Sequence, residues 1–277
     1  MTRVVAIVAV LVLGACTGIE RAAVPGVELN DPAWRDADAG STATVDHAAW
    51  DRFLASYLTT DAQGVNRVAY ARVTPEDRAA LDAYLAQVQA TEPATLDRDE
   101  QLAFWINLYN ARTVTLILDN YPVASIRDIK DGAFSVGPWG RPAVTVAGRT
   151  LSLHDIEHGI VRALWDDPRV HYALNCAAVG CPNLAPVAYA GATLEASLAA
   201  AERAYVNDPR GVHLDAEQRL VLSKIYVWYR EDFGASEDDV LRGLADLTDD
   251  PELSRRLAKA PLVYRYVYDW RLNDAAP

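Results

Sequence analysis

Cysteine and histidine are scarce in this chain, three and five among 277 residues, so thiol or imidazole chemistry must be concentrated where those few fall. Clusters of Lys and Arg are missing, and the formal net charge is -12. Both features argue against a nucleic-acid partner, because neutralising phosphates needs concentrated positive charge. Long hydrophobic runs are missing too. The one at the N-terminus, of about ten residues, is too short to span a membrane as a permanent helix. No internal repeat or linker-like stretch interrupts the chain after residue 45. What is present is a 51% apolar composition, enough to bury one large core or two small ones.

Arg3, the apolar run and then Leu13, Gly14, Ala15 and Cys16 predict a signal peptide over residues 1–15. The small residues before Cys16 resemble a bacterial lipobox. That resemblance implies export, lipidation of the Cys16 thiol and anchoring in the cell envelope by several acyl chains. Thr17 follows the cysteine where Asp would signal inner-membrane retention, so the periplasmic face of the outer membrane is the expected location. Residues 16–44, rich in Ala, Asp, Gly and Pro without a period, are expected to form a flexible tether, with the folded domain over 45–277.

Within that domain, Asp46 starts a helix that buries Trp50, Phe53, Leu54, Tyr57 and Leu58. Thr74 and Pro75 open a second, with Leu81, Tyr84, Leu85 and Val88 inside. Asp97 and Glu100 resemble a capping box for a third and longer helix through FWINLYNARTVTLIL, apolar nearly all round and therefore central. Asn107 and Asn110 on that helix are either substrate contacts or amide clamps on a neighbouring loop. AVTVAGRTLSL predicts a hairpin turning at 147–149, and Ser152 with Asp155 caps a helix carrying His154, Glu157, His158 and Arg162. An Ala-rich helix over 193–205, a strand over 219–222, a helix capped by Ser223, another opened by Ser236 and Asp239, and a late strand over 262–268 complete the reading. His47 and His213 are expected to be solvated, while Tyr226 and Trp228 are candidates to line a substrate cleft. Helices outnumber scattered strands. The fold class expected is α+β, a helix-rich single domain with a small, mostly antiparallel sheet.

The chemistry converges on PRVHYALNCAAVGCPNL, Pro168 to Leu184. Val170, Tyr172 and Leu174 alternate with His171, Ala173 and Asn175, which predicts a half-buried strand ending at Cys176. Gly180 and Pro182 then force a turn. This stretch resembles a block of the DUF547 family, a family of unknown function. FWINLYNA at 104–111, DIEHGIVR at 155–162, SKIYVWYREDFG at 223–234 and YDWRLN at 268–273 resemble its other blocks in the same order, so the resemblance covers roughly 45–273. It implies no established reaction.

Three readings of Cys176 stand side by side. As a nucleophile it would be activated by a histidine and by main-chain N–H groups of the turn, giving acyl transfer or amide hydrolysis on an envelope peptide or protein. His158 ranks ahead of His171 as base, because five extended residues would hold His171 ~16 Å away. Glu157 is the candidate orienting acid. As half of a Cys176–Cys181 disulfide, favoured by an oxidising compartment, it would staple a recognition loop in a non-catalytic lipoprotein. As a zinc ligand with His158, His171 and Cys181 it suffers from H-x4-C-x4-C spacing, which lacks the close C-x2-C pair of structural zinc sites. No metal and no cofactor are expected.

Overall fold

A computed structural model of the chain describes residues 26–130 and 137–275. In chain order the elements are α1 (Ala48–Tyr57), β1 (Leu58–Thr60), β2 (Asn66–Val68), α2 (Pro75–Gln89), α3 (Arg98–Asn120), β3 (Pro142–Val146), β4 (Arg149–Ser152), α4 (Leu153–Ile156), α5 (Val170–Ala173), α6 (Leu194–Val206), β5 (Val212–Leu214), β6 (Leu220–Ser223), α7 (Ile225–Trp228), α8 (Arg230–Phe233), α9 (Glu237–Leu247), α10 (Pro251–Leu257) and β7 (Arg265–Val267). β1 pairs with β2 and β3 with β4, both antiparallel; β6 takes β5 antiparallel on one side and β7 parallel on the other. The fold is therefore helix-rich α+β with small, mostly antiparallel sheets, as the patterning predicts. It divides into two compact units, Val27–Glu202 with Asp269–Pro277, and Arg203–Tyr268.

The larger unit is organised by α3. Asp97 caps it by accepting from the Glu100 N–H at 2.8 Å, and its side chains are buried almost continuously from Glu100 to Ile117. α1 packs Trp50, Phe53, Leu54 and Tyr57 into the same core, and α2 adds Leu81, Tyr84, Leu85 and Val88. Each such side chain contributes roughly 1.5–3 kcal/mol through apolar area removed from water. Glu100 does not complete the expected capping box. Its buried carboxylate instead accepts from the N–H groups of Val45 and Gly191, both at 2.7 Å, tying two distant loops to the first turn of α3. The hairpin turns at Ala147 and Gly148, at φ 48° and 72°, the two positive values that a two-residue turn of the I′ type demands.

Two expectations about the N-terminal part of this unit fail. Residues 27–44 are not a free tether: Asp31 caps a short 3-10 turn (Pro32–Arg35) whose Trp34, 4% exposed, meets Trp105 edge-on at 5.3 Å. Gln101 and Arg98 of α3 donate to the Asp36 and Arg35 carbonyls, both at 2.8 Å, so the segment is docked. One large aromatic anchor outweighs the flexible composition around it. His47 is not solvated either. It is 7% exposed, with Nδ1 at 2.7 Å from the Tyr84 hydroxyl and Nε2 accepting from the Asn107 amide at 3.1 Å, and burial lowers its pKa.

In the smaller unit, β6 is buried throughout, and its last residue, Ser223, accepts from the Tyr205 hydroxyl at 2.9 Å. Lys224 rather than Ser223 stands at the cap of α7, and His213 lies in β5 rather than in a loop. Ser236 and Asp239 form the expected reciprocal capping box of α9. Tyr226, 1% exposed, packs edge-on against Phe233 at 5.1 Å, and Trp228 tilts against Tyr268 at 4.8 Å. Tyr226 is core rather than a cleft wall. Among the described residues no helix is long and apolar enough to cross a membrane; the signal peptide and Cys16 lie outside them.

Candidate functional site

The segment 170–174 is a helical turn, α5, and not a strand. Asp167 and Pro168 start it: Asp167 Oδ1 accepts from the Arg169 N–H at 2.9 Å, and the Pro168 carbonyl accepts from the His171 N–H at 3.1 Å. Five residues that alternate in polarity fit either period when both faces are buried, and all of Val170 to Ala173 are buried. The ~16 Å separation of His171 from Cys176 depended on an extended chain. It no longer applies.

After α5 the chain turns on a left-handed residue. Ala177, immediately after Cys176, has φ 60°. This conformation costs a non-glycine residue ~1–2 kcal/mol and persists only where its surroundings enforce it. Asparagines enforce it here. Asn175 Oδ1 accepts from the Ala177 N–H at 2.8 Å, Asn175 Nδ2 donates to the Pro182 carbonyl at 2.8 Å, and the Asn273 N–H donates to the Ala177 carbonyl at 2.9 Å. The Cys176 N–H donates to Cys181 Sγ at 3.1 Å, closing the loop between the two cysteines. Cys176 is partly exposed and Cys181 buried. Three further donors of the loop are engaged: Val179 N–H by Arg271, Gly180 N–H by Asp269 and Cys181 N–H by Ala178.

A second local distortion lies on the histidine-bearing helix. Ser152 and Asp155 form the expected capping box, and α4 then widens into a π turn, Glu157–Val161, before a last helical turn at Arg162–Leu164. Such one-turn π insertions occur frequently at functional sites. Asn30, from the docked N-terminal segment, fits against Gly159, where a Cβ would come within 2.5 Å of its amide nitrogen. Its N–H and Nδ2 donate to the Gly159 and Asp155 carbonyls at 3.1 and 3.3 Å. Asn30 fills the space over the widened turn.

The electrostatics of the turn assign a proton. Arg162 can only donate, and its guanidinium nitrogen lies 2.8 Å from His158 Nδ1, so Nδ1 accepts and Nε2 carries the hydrogen of a neutral ring. Burial, assisted by the positive charges of Arg162, His154 and His171 and opposed by Glu157, pushes the His158 pKa down to about 4. His158 is therefore a neutral N–H donor near pH 7, and not a ready base. Glu157, 7% exposed, accepts from the Tyr109 hydroxyl at 3.0 Å.

α3 is the common platform. Tyr109 reaches the π turn through Glu157, while the next residue, Asn110, donates to the Ala173 carbonyl at 2.9 Å and accepts from the Asn175 N–H at 2.8 Å. One helix thus holds the acid and imidazole turn as well as the segment that carries His171 and Cys176. Asn107, one turn earlier, grips Tyr189 by its N–H and carbonyl at 3.0 and 2.7 Å. Both amides hold main chain, which is the clamp reading and not the substrate-binding one. Among the described residues, no three of His, Cys, Asp and Glu converge to hold a metal ion.

Residues 93–206 match the family described as "Protein of unknown function, DUF547". Over that segment the chain is similar to the DUF547 family. It takes in α3, the π turn, α5 and the cysteine turn. No curated protein and no solved structure matches the chain. Outside the DUF547 segment lie Tyr70 and Asn273, which the sequence reading does not single out. The Tyr70 hydroxyl donates to Asn273 Oδ1 at 2.9 Å, and its pKa stands well above the ordinary value through burial and the proximity of Asp274, Cys181 and Cys176. The final block, YDWRLN, was the available signal for Asn273; Tyr70 gave none.

Proposed function

We propose that the DUF547 segment carries a cysteine-based acyl-transfer or amide-hydrolase site, with Cys176 as the nucleophile. The observation that carries the reading is the shared platform: consecutive residues of α3, Tyr109 and Asn110, hold the Glu157–His158 turn and the strained turn of the partly exposed Cys176. A left-handed residue beside a thiol, maintained by buried amides, is strain that the fold stabilises at a place where chemistry would use it. His171 takes the role of base, since the acceptor nitrogen of His158 is engaged by Arg162. His158 serves as a neutral donor and Glu157 as the acid that orients the imidazoles. In the reaction the Cys176 thiol gives its proton to His171, sulfur bonds to the acyl carbon, and the leaving group departs with a proton; water then releases the acyl group.

The same reading places the domain in the cell envelope, anchored through lipidated Cys16 at the periplasmic face of the outer membrane, with an envelope peptide or protein as substrate. Incorporation of labelled palmitate, lost in Cys16→Ala, is the expected sign of anchoring; equal labelling of both proteins contradicts it. For the site itself, intact-protein mass spectrometry after exposure to p-nitrophenyl acetate is expected to show one acetyl group on Cys176, absent in Cys176→Ala and strongly reduced in His171→Gln. Absence of the adduct from the wild-type protein, or its survival in Cys176→Ala, would overturn the assignment.

A further inference from the structure

Acyl transfer to a thiolate produces a negative oxygen, and a site for that chemistry needs a hydrogen-bond donor waiting for it. Main-chain N–H groups of the nucleophile's own turn usually serve. In this turn five of them are committed: Cys176 to Cys181 Sγ, Ala177 to Asn175, Val179 to Arg271, Gly180 to Asp269 and Cys181 to Ala178. A side chain is the other source of such a donor.

Asn273 is such a side chain. It is 1% exposed, and its main chain is bonded on both sides, N–H to the Ala177 carbonyl and carbonyl to the Val68 N–H, both at 2.9 Å. Its amide is oriented by the Tyr70 hydroxyl, which donates to Oδ1 at 2.9 Å. A buried phenol held in its protonated form fixes this direction of donation and so assigns the other half of the amide, Nδ2, as the NH2. That NH2 has no hydrogen-bond partner among the described residues. Leaving a buried donor unmade costs ~1–3 kcal/mol, a cost that native proteins rarely carry without a use.

We infer that Asn273 Nδ2 is the donor that receives the acyl oxygen when Cys176 attacks, and that Tyr70 positions it. The inference rests on the proposed acyl chemistry and deepens it. Addition forms the S–C bond and moves the carbonyl π electrons onto oxygen, where the Asn273 NH2 holds them; collapse restores the carbonyl and expels the leaving group. Asn273 joins the reaction from outside the DUF547 segment, carried to Ala177 by the pairing of residues 269–273 with 177–180.

Two electrophiles separate this role from a structural one. Acetylation of Cys176 by p-nitrophenyl acetate passes through an oxyanion, whereas alkylation by iodoacetamide displaces iodide without one. Asn273→Asp keeps the shape but removes the donor, and is expected to slow acetylation by ~10²–10³ while leaving alkylation within about twofold of wild type. Tyr70→Phe keeps the donor but frees its orientation, and is expected to slow acetylation about tenfold, again without changing alkylation. Circular dichroism checks both folds, and Tyr70→Phe decides the matter if Asn273→Asp unfolds. Equal acetylation rates in wild type and the folded variant overturn the role of Asn273 alone. A wild-type protein that is alkylated at Cys176 but never acetylated overturns the acyl chemistry and this role together.

Discussion

Two alanines of the larger unit stand in the left-handed region, and they are held there in different ways. Ala147, at φ 48°, sits in the β3–β4 hairpin next to Gly148 at 72°, where the turn type itself demands positive φ and the flanking ladder supplies it. Ala177, at φ 60°, has no such turn. It is 1% exposed, and its conformation is imposed by Asn175 and Asn273 acting on its N–H and carbonyl. The first is strain explained by the turn type, the second strain maintained by the Asn175 side chain and by the main-chain N–H of the distant Asn273. Only the second has a cysteine beside it.

The sharpest way to break the contrast is to remove the imposed bonds. Asn175→Ala leaves the Ala177 N–H and the Pro182 carbonyl buried without their partner, and is expected to cost ~2–4 kcal/mol in urea unfolding, with loss of Cys176 acetylation. A cost near zero would mean that Ala177 is comfortable without help. Acid is the next lever. The folded pKa of His158, about 4, lies below its ordinary unfolded value of 6.5, so the unfolded chain takes up the proton first. Stability attributable to His158 is intact above pH 6.5 and is lost as pH falls through 4, by roughly 3 kcal/mol over that window. His158→Gln is expected to flatten that part of the profile, as measured by denaturant titrations at successive pH values. A parallel profile in the variant would remove the buried neutral ring from the account. The smallest effect sharpens the comparison directly. Ala177→Gly and Ala147→Gly each relieve a left-handed alanine and are expected to change stability by no more than ~1 kcal/mol, while only Ala177→Gly alters Cys176 reactivity. Equal reactivity in both would make the two turns equivalent.

Much of this was legible in the chain. Thr74-Pro75, Ser152 with Asp155, and Ser236 with Asp239 are local signatures, and each cap forms as read. The apolar length of α3 announced a buried central helix for the same reason: it depends on nearby residues alone. The same signature was present and unread at Asp167-Pro168, where the alternation of 170–174 suggested a strand instead, and at Asp31-Pro32, where composition hid the anchoring of Trp34. The π turn has no local sequence mark, and Asn30, which fits over Gly159, comes from 129 positions away. Nor could spacing show that Arg162 would fix the His158 tautomer, or that Asn273 and Tyr70 would meet at the cysteine turn. Those are long-range contacts, and single-chain periodicity does not carry them.

Peptide mass spectrometry of the mature protein under non-reducing conditions, after brief iodoacetamide treatment at neutral pH, tests the nucleophile most directly. Alkylation of Cys176 ahead of Cys181 is the expected result, in keeping with the partial exposure of the first and the burial of the second. A Cys176–Cys181 disulfide in every molecule, with neither residue labelled, would contradict it and leave a stapled loop in place of a reactive thiol.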